Sequence, residues 1–95
     1  AVSCWGGNTL GQLGTGDTMW SNVPRRLATL TNGATAISAG RSHACVLVNG
    51  AAWCWGDNSW GQLGDGTTTN RPAPTPVVGL SAGVTAISCG DAHTC

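Results

Sequence analysis

The chain has 95 residues, enough for one small domain, and contains 15 Gly, 5 Trp and 5 Cys but no Phe, Tyr, Lys or Glu. Charged residues make up 8% of it, and the Arg side chains balance the Asp side chains. A neutral chain without Lys lacks the basic surface that attracts nucleic acid or an anionic membrane, so we expect neither partner. Its apolar fraction of 41% argues against disorder. Apolar runs such as Ala44 to Val48 are too short to span a membrane, so membrane insertion is not expected.

The sequence repeats itself after 50 residues. Residues 1–45 align with residues 51–95 without a gap, and 21 of the 45 pairs are identical. We therefore divide the chain into a first repeat unit, 1–50, which begins inside a predicted strand, and a second unit, 51–95, which ends inside one. Such internal repeats are typical of solenoids and propellers.

Short strands and turns are predicted in chain order within this repeat. Val23 to Leu27 is a short stretch whose Pro24 suits an edge strand, because an edge needs no N–H for the ladder. Ala34 to Ala39 and Ala44 to Val48 are apolar or β-branched runs that predict two further strands.

The next signal is a hairpin turn. Asn49-Gly50 separates two apolar runs, and both residues tolerate positive φ, so they predict a two-residue turn. Ala51 to Trp55 is then the returning strand, and a glycine-rich loop follows Gly56. Ala73 to Val78 repeats the proline-containing stretch of the first unit.

Four short strands in about 50 residues are typical of one blade of a β-propeller. We expect an all-β propeller fragment of about two blades of four-stranded antiparallel sheet. The first complete blade is predicted from about Val23 to Gly56, followed by most of a second. Fewer than three units rarely bury enough apolar surface, so we expect a fragment of a larger propeller or a chain that self-associates.

The repeated motifs allow a comparison between propeller families. Blades of the WD type are shorter and carry Trp-Asp, whereas this chain has Trp-Gly; the period also suits kelch blades. The motifs Gly-x-x-His-x-Cys and Cys-Trp-Gly-x-Asn-x-x-Gly-Gln-Leu-Gly resemble the repeats of the regulator of chromosome condensation family. The resemblance implies a seven-bladed propeller, of which this chain carries under a third. The cysteine pattern resembles the bacterial branch of the family.

Two cysteines are placed for a disulfide. In a hairpin turning at Asn49-Gly50, Cys45 faces Cys54 at a position without ladder hydrogen bonds, where Cα atoms lie ~4.5 Å apart. This distance suits a disulfide, so we predict the Cys45–Cys54 bridge, with two reduced, packed thiols as the alternative.

The other three cysteines lack such a partner. Cys4 and Cys95 occupy the positions equivalent to Cys54 and Cys45, and we expect Cys89 to be unpaired and buried. A disulfide indicates an oxidising compartment, so we expect an extracellular or cell-surface location. No signal peptide is visible, and targeting information would lie outside this chain.

The sequence contains no convincing motif for a catalytic, metal or cofactor site. His43, Cys45 and Cys54 could approach a zinc ion, but no Cys-x-x-Cys pair or fourth ligand accompanies them, and His43 and its counterpart His93 suit turn-capping roles. The glycine-rich loops lack the spacing of dinucleotide or calcium loops. No nucleophile elbow and no pair of acidic residues is evident. We expect a non-enzyme with no cofactor and no metal.

The two units separate scaffold residues from variable ones. Trp5 and Trp55 recur and are expected in the core between blades, with loops packed by Gln and Leu at 12–13 and 62–63. Exposed Trp and Arg are enriched at binding hot spots. The variable positions expected to contact a partner are Trp60, Trp20, Arg25, Arg26 and Arg41.

These observations favour a non-catalytic binding or scaffold module, part of a secreted or surface propeller that binds another protein, as the resemblance implies. A glycan-binding propeller is the alternative, with Trp20 or Trp60 as stacking platform. Guanine-nucleotide exchange is the activity of the nuclear member of the family, and the cysteines argue against a nuclear location for this chain. A structural spacer also stays open as an alternative; in that case Trp20 and Trp60 would only fill gaps between loops. Polar neighbours around an exposed Trp would favour a glycan, and an apolar patch rimmed by Arg would favour a protein.

Overall fold

The computed structural model describes residues 2–27 and 33–95, and residues 1 and 28–32 of the predicted first unit lie outside the described residues. Within the described ranges the chain forms strands and turns, with no helix that could cross a membrane. The strands are β1 (Ser3–Gly6), β2 (Ser21–Arg26), β3 (Ala34–Ala39), β4 (His43–Val48), β5 (Ala51–Gly56) and β6 (Arg71–Pro76).

The strands form two antiparallel sheets. β1 pairs with β2, and the remaining strands form a four-stranded sheet in the order β3-β4-β5-β6. This arrangement confirms the all-β propeller architecture and the hairpin between β4 and β5. The turn has positive φ at Asn49 (52°) and Gly50 (80°), the conformation for which these two residue types are favoured.

The predicted limits of the complete blade, Val23 to Gly56, are wrong. The four-stranded sheet extends from Ala34 to Pro76, because each proline-containing strand pairs with the Cys-Trp-Gly strand before it. The glycine-rich loop brings the chain back to the free edge of that strand, so β6 closes the blade that β3 opens. Pro74 lies on this outer edge, as predicted, where a missing N–H costs no ladder hydrogen bond.

One face of the four-stranded sheet packs on the part of the chain that precedes it, around the β1–β2 pair. Val46 and Trp55 form a buried cluster with Val2 and Leu27, which flank the β1–β2 pair. Trp55 is 0% exposed, and its indole N–H donates a hydrogen bond to the carbonyl oxygen of Gln12 at 2.9 Å. Trp55 is therefore core, as predicted, and joins the sheet to the loop of the unit before it.

The opposite face carries the disulfide. Cys45 lies opposite Cys54 in the β4–β5 ladder, with 4.1 Å between the Cα atoms, and the two sulfurs are bonded. Leu63 packs on the bridge, together with Ile87 of the second unit. The predicted hairpin register is therefore the observed one.

Three cysteines are free: Cys4, Cys89 and Cys95. The expectation that Cys89 is buried is wrong, since it is half-buried; its N–H donates to the hydroxyl of Ser38 at 3.0 Å. Cys4 is also half-buried, and Cys95 is exposed.

Trp5 also differs from the expectation. It was expected in the core like Trp55, yet it is 60% exposed. The reason is that Trp55 is covered by the segment around Gln12 and Gly14, whereas no equivalent segment covers Trp5 within the described part of the chain.

We predict that Trp55→Ala lowers the free energy of unfolding by about 3–5 kcal/mol, because it leaves a cavity between two repeat units. Urea denaturation followed by circular dichroism measures the loss. Trp60→Ala is the matched control, since its indole is 79% exposed, and should change stability by no more than about 0.5 kcal/mol. Equal losses for the two variants would show that Trp60 belongs to the core.

Candidate functional site

Two equivalent loops carry the variable aromatic residues. Loop A, residues 7–20, connects β1 to β2, and loop B, residues 57–70, connects β5 to β6. Trp20 ends loop A and Trp60 lies near the start of loop B. Because binding residues are often found on loops held by a rigid scaffold, the first question is what orders these loops.

A buried asparagine orders loop B. Asn58 is 0% exposed, and its side-chain oxygen accepts the N–H of Leu63 at 3.0 Å. Its amide nitrogen donates to the carbonyl oxygens of Thr67 (3.0 Å) and Thr69 (3.1 Å). One side chain thus satisfies three backbone groups from both halves of the loop, which keeps those groups from being buried without partners.

Asn8 has the same position in loop A, accepting from the N–H of Leu13 and donating to the carbonyl oxygens of Asp17 and Met19. Asn8 and Asn58 are 50 residues apart and so occupy equivalent positions of the two units, but the sequence patterns did not predict a role for either. The available signal was an Asn at the same place in two loops otherwise dominated by Gly.

A carboxylate completes the network in loop B. One oxygen of Asp65 accepts from the Thr67 hydroxyl (2.7 Å) and the Asn58 amide (3.0 Å), and the other accepts from Arg71 Nε (2.8 Å). Burial of Asp65 opposes its ionisation, but the hydrogen bonds from Thr67 and Arg71 outweigh it and lower the pKa of Asp65 to about 2.

Loop A contains the same network, but its Asp and Thr have exchanged positions. Thr15 and Asp17 stand where loop B has Asp65 and Thr67, and the Asp17 carboxylate accepts from the Thr15 hydroxyl at 3.0 Å. Arg25 forms an ion pair with Asp17 at 3.3 Å. A hydrogen bond from the Met19 backbone and one from Arg25 lower the pKa of Asp17. Arg25, an expected partner contact, lies on β2 and is thus engaged by a carboxylate of the loop that precedes it.

Trp60 projects from this ordered loop. Its backbone N–H donates to the side-chain oxygen of Gln62 at 2.9 Å, while its indole is 79% exposed. Trp60 is among the residues that line a cavity of about 280 Å³, which we call the loop B cavity. Its walls are largely apolar and include Leu63, Val77, Ile87 and the segment 92–95.

The other expected contacts lie elsewhere. Trp20 is 71% exposed and lines an open groove with Trp5, Ser21 and Asn22. Arg41 is exposed and lines a separate groove that includes Trp5.

Arg26 is exposed but lines none of these three depressions. None of the three contains both Trp20 and Trp60. The five expected contact residues therefore do not share one of these three depressions, and their contact with a partner stays a prediction.

His43 is buried and contacts neighbouring protein groups. Its Nε2 lies 3.1 Å from the Thr94 hydroxyl, and its carbonyl oxygen accepts the N–H of Gly40 at 2.8 Å. Burial lowers the pKa of His43. Since Cys45 and Cys54 are bonded to each other, neither offers a thiolate to a metal beside His43. The described ranges contain no cluster of three or more His, Cys, Asp or Glu placed to hold a metal ion.

The lowered pKa of Asp65 gives a pH prediction. A carboxyl whose folded pKa lies below its unfolded value of about 3.9 contributes stability above pH 4 and loses it as the pH falls towards 2. Urea midpoints measured from pH 6 to pH 2 should fall less steeply for Asp65→Asn than for the wild type. Asp91→Asn, which changes an exposed carboxyl, should retain the wild-type slope. An unchanged slope in Asp65→Asn would contradict the network described for loop B.

Comparisons with known proteins agree with this architecture. A family model described as regulator of chromosome condensation (RCC1) repeat matches residues 2–47 and 49–95, and a second model of that description matches residues 34–62. A search of curated protein sequences returned no match.

Solved structures show the same fold. Human WBSCR16 is 27% identical with a TM-score of 0.82, and Prp20p from Saccharomyces cerevisiae, studied for its binding to Gsp1p and histones, is 23% identical with a TM-score of 0.80. Each alignment covers 97% of this chain and 25% of the other, so this chain spans about a quarter of their length. The chain belongs to the regulator of chromosome condensation (RCC1) repeat family.

Proposed function

We propose that the chain is a non-catalytic binding module of a secreted or surface-exposed propeller, and that its partner is another protein. The observation that carries the proposal is Trp60: an exposed indole on an internally hydrogen-bonded loop, beside an apolar cavity. A large side chain on a fixed backbone loses little conformational freedom when it is buried against a partner, so most of the contact energy is retained.

The surroundings of Trp60 favour a protein over a sugar. Leu63, Val77 and Ile87 line the adjacent cavity, and apolar walls match the aliphatic and aromatic side chains of a protein surface. A sugar ring would need several hydrogen-bonding groups around the indole to replace the water bound to its hydroxyls.

Two further observations support the remaining parts of the proposal. The Cys45–Cys54 bridge is fully buried under Leu63, and a structural disulfide persists in oxidising compartments. The groups with shifted pKa values, such as Asp65 and His43, are engaged by neighbouring protein groups in ordering loops and turns. That engagement favours a structural use over acid–base chemistry.

A glycan is the second candidate, and Trp20 is the residue that favours it. Its groove contains Trp5 together with Ser21 and Asn22, so an exposed indole is accompanied by hydroxyl and amide groups. Stacking of a sugar on an indole with hydrogen bonds at the edge would use both features.

The two candidates are separated by reciprocal substitutions. The wild-type chain, Trp60→Ala and Trp20→Ala are immobilised and exposed to the extracellular fraction of the source cells; any bound protein is purified and titrated by calorimetry. The same three chains are applied to a glycan array. We expect Trp60→Ala to raise the Kd for the protein at least about tenfold with an unchanged melting temperature, because hot-spot residues contribute this much. Trp20→Ala should leave that Kd within about twofold.

Glycan binding lost only in Trp20→Ala would replace the protein proposal with the second candidate. A Kd that Trp60→Ala leaves unchanged would remove Trp60 from the binding surface.

A further inference from the structure

Three cysteines come together where the segment that follows β6 packs on the four-stranded sheet. Cys45 and Cys54 form the buried bridge between β4 and β5. Cys89 packs against the cluster that contains this bridge, and its thiol is free. The counterpart of Cys89 in the first unit is Ala39, so this third cysteine is a feature of the second unit.

Two hydrogen bonds hold Cys89 against one strand of that sheet. Its N–H donates to the hydroxyl oxygen of Ser38 at 3.0 Å, and its thiol donates to the carbonyl oxygen of the same residue at 3.5 Å. Ser38 belongs to β3, which pairs with β4. The position of Cys89 is therefore set by the contact of one repeat unit with the next.

The register of the sheet places Ser38 in line with the bridge. Ser38 lies opposite Cys45 in the β3–β4 ladder, and Cys45 lies opposite Cys54 in the β4–β5 ladder. Directly opposed residues of neighbouring strands project from the same face of a sheet. The three side chains therefore form one row across three strands, and Cys89 is held at the Ser38 end of this row.

This order of residues suits thiol–disulfide exchange. In that reaction a thiolate attacks one sulfur of a disulfide, on the side opposite to the bond that breaks, and the other sulfur leaves. Cys89 is held at the end of the row next to Cys45, with Cys54 beyond it. Cys45 is therefore the sulfur that Cys89 can attack, and Cys54 is the one that leaves.

We propose that the bridge is exchangeable within the fold: Cys89 attacks Cys45, and the Cys45–Cys54 disulfide is replaced reversibly by a Cys45–Cys89 disulfide. The electron pair of the broken bond stays on the sulfur of Cys54, which takes up the proton that Cys89 has lost. One disulfide and one thiol are present before and after the step, so no oxidant or reductant is consumed.

The exchange moves the covalent link from one hairpin to the contact between two units. The observed bridge joins cysteines nine residues apart on neighbouring strands. A Cys45–Cys89 bridge joins β4 to the segment after β6 and closes a much longer stretch of chain, which restricts the unfolded chain more strongly. Exchange would thus link one unit covalently to the next. It concerns the scaffold and does not rest on the proposed function.

The test is a disulfide map of the purified chain after incubation in dilute solution at pH 8, without oxygen or added thiol. Acid then stops the exchange, free thiols are alkylated at low pH, and the chain is cleaved before its Asp residues. The cysteines fall in four peptides: 1–16 (Cys4), 17–56 (Cys45 and Cys54), 65–90 (Cys89) and 91–95 (Cys95). We expect peptide 17–56 linked to 65–90 as the main new species, in a chain that stays monomeric.

The other two free cysteines serve as internal competitors. Cys95 is exposed, so random reshuffling would link peptide 17–56 to 91–95 at least as readily as to 65–90. Such a mixture, or a peptide 17–56 that stays unlinked, would overturn the proposal. A rate that rises with protein concentration would also overturn it, because exchange within one chain is first order.

Cleavage after Trp53 identifies the sulfur that was attacked, because it separates Cys45 from Cys54. In the linked species we expect Cys45 to be bonded to peptide 65–90 and Cys54 to carry the alkyl group. The reverse assignment would contradict attack from the Ser38 end of the row.

Two variants separate positioned exchange from chance encounters. Ala39→Cys combined with Cys89→Ala moves the thiol to the equivalent position of the first unit, which follows Ser38 on β3 and so projects from the opposite face. We expect alkylation of Cys54 to be at least about tenfold slower in this variant.

Ser38→Ala removes the hydroxyl that accepts the Cys89 N–H and should slow the exchange at least about threefold. If either variant reacts at the wild-type rate, the position assigned to Cys89 is wrong. Both variants retain Trp60 and loop B, so this proposal and the proposed function can fail separately.

Discussion

The rest of the structure depends on the contact of Trp55 with loop A. The chain has no Phe or Tyr, and a single indole supplies the largest side chain of its core. That indole belongs to the four-stranded sheet but is covered by the unit before it, through the Gln12 carbonyl and the space left by Gly14. The stability of a repeat unit is therefore shared with its neighbour, as in other proteins built from stacked repeats.

The polar backbone groups of the loops likewise depend on a single side chain in each loop. With so little charge available, one amide side chain per loop satisfies the backbone groups that a glycine-rich segment would otherwise bury without partners. The loop that covers the Trp55 indole is thus ordered by Asn8, and the loop that carries Trp60 is ordered by Asn58. Exposed aromatic residues on such loops keep a defined position without help from a ligand.

Sequence patterns predicted the features that are set by local geometry. Asn49-Gly50 determined the hairpin register, and the register determined which cysteines could bond. The pattern could not show which neighbouring strand Val23–Leu27 would join, because pairing with an earlier or a later strand uses the same residues and depends on the path of a long loop. It also could not show that Trp5 is exposed, since two identical motifs differ here only in what covers them.

The internal comparison did not detect the ion pair of Arg25. Arg25 differs from its counterpart Thr75, and its ion pair with the loop A residue Asp17 is matched in the second unit by the ion pair of Arg71 with Asp65, at other positions of the repeat. A difference at one position was compensated at another. Position-by-position comparison does not detect such compensation when only two copies are compared.

The exchange of Asp and Thr between the loops has a consequence for engineering. A consensus repeat that averaged the two units could combine Thr15 with a Thr at position 17, which leaves the arginine without a carboxylate, or place acidic residues at both positions, which sets two negative charges side by side. The Asp, the Thr and the Arg are interdependent and can be transplanted only as a set. Arrays designed from this repeat would have to inherit each loop together with the strand that follows it, because that strand carries the arginine.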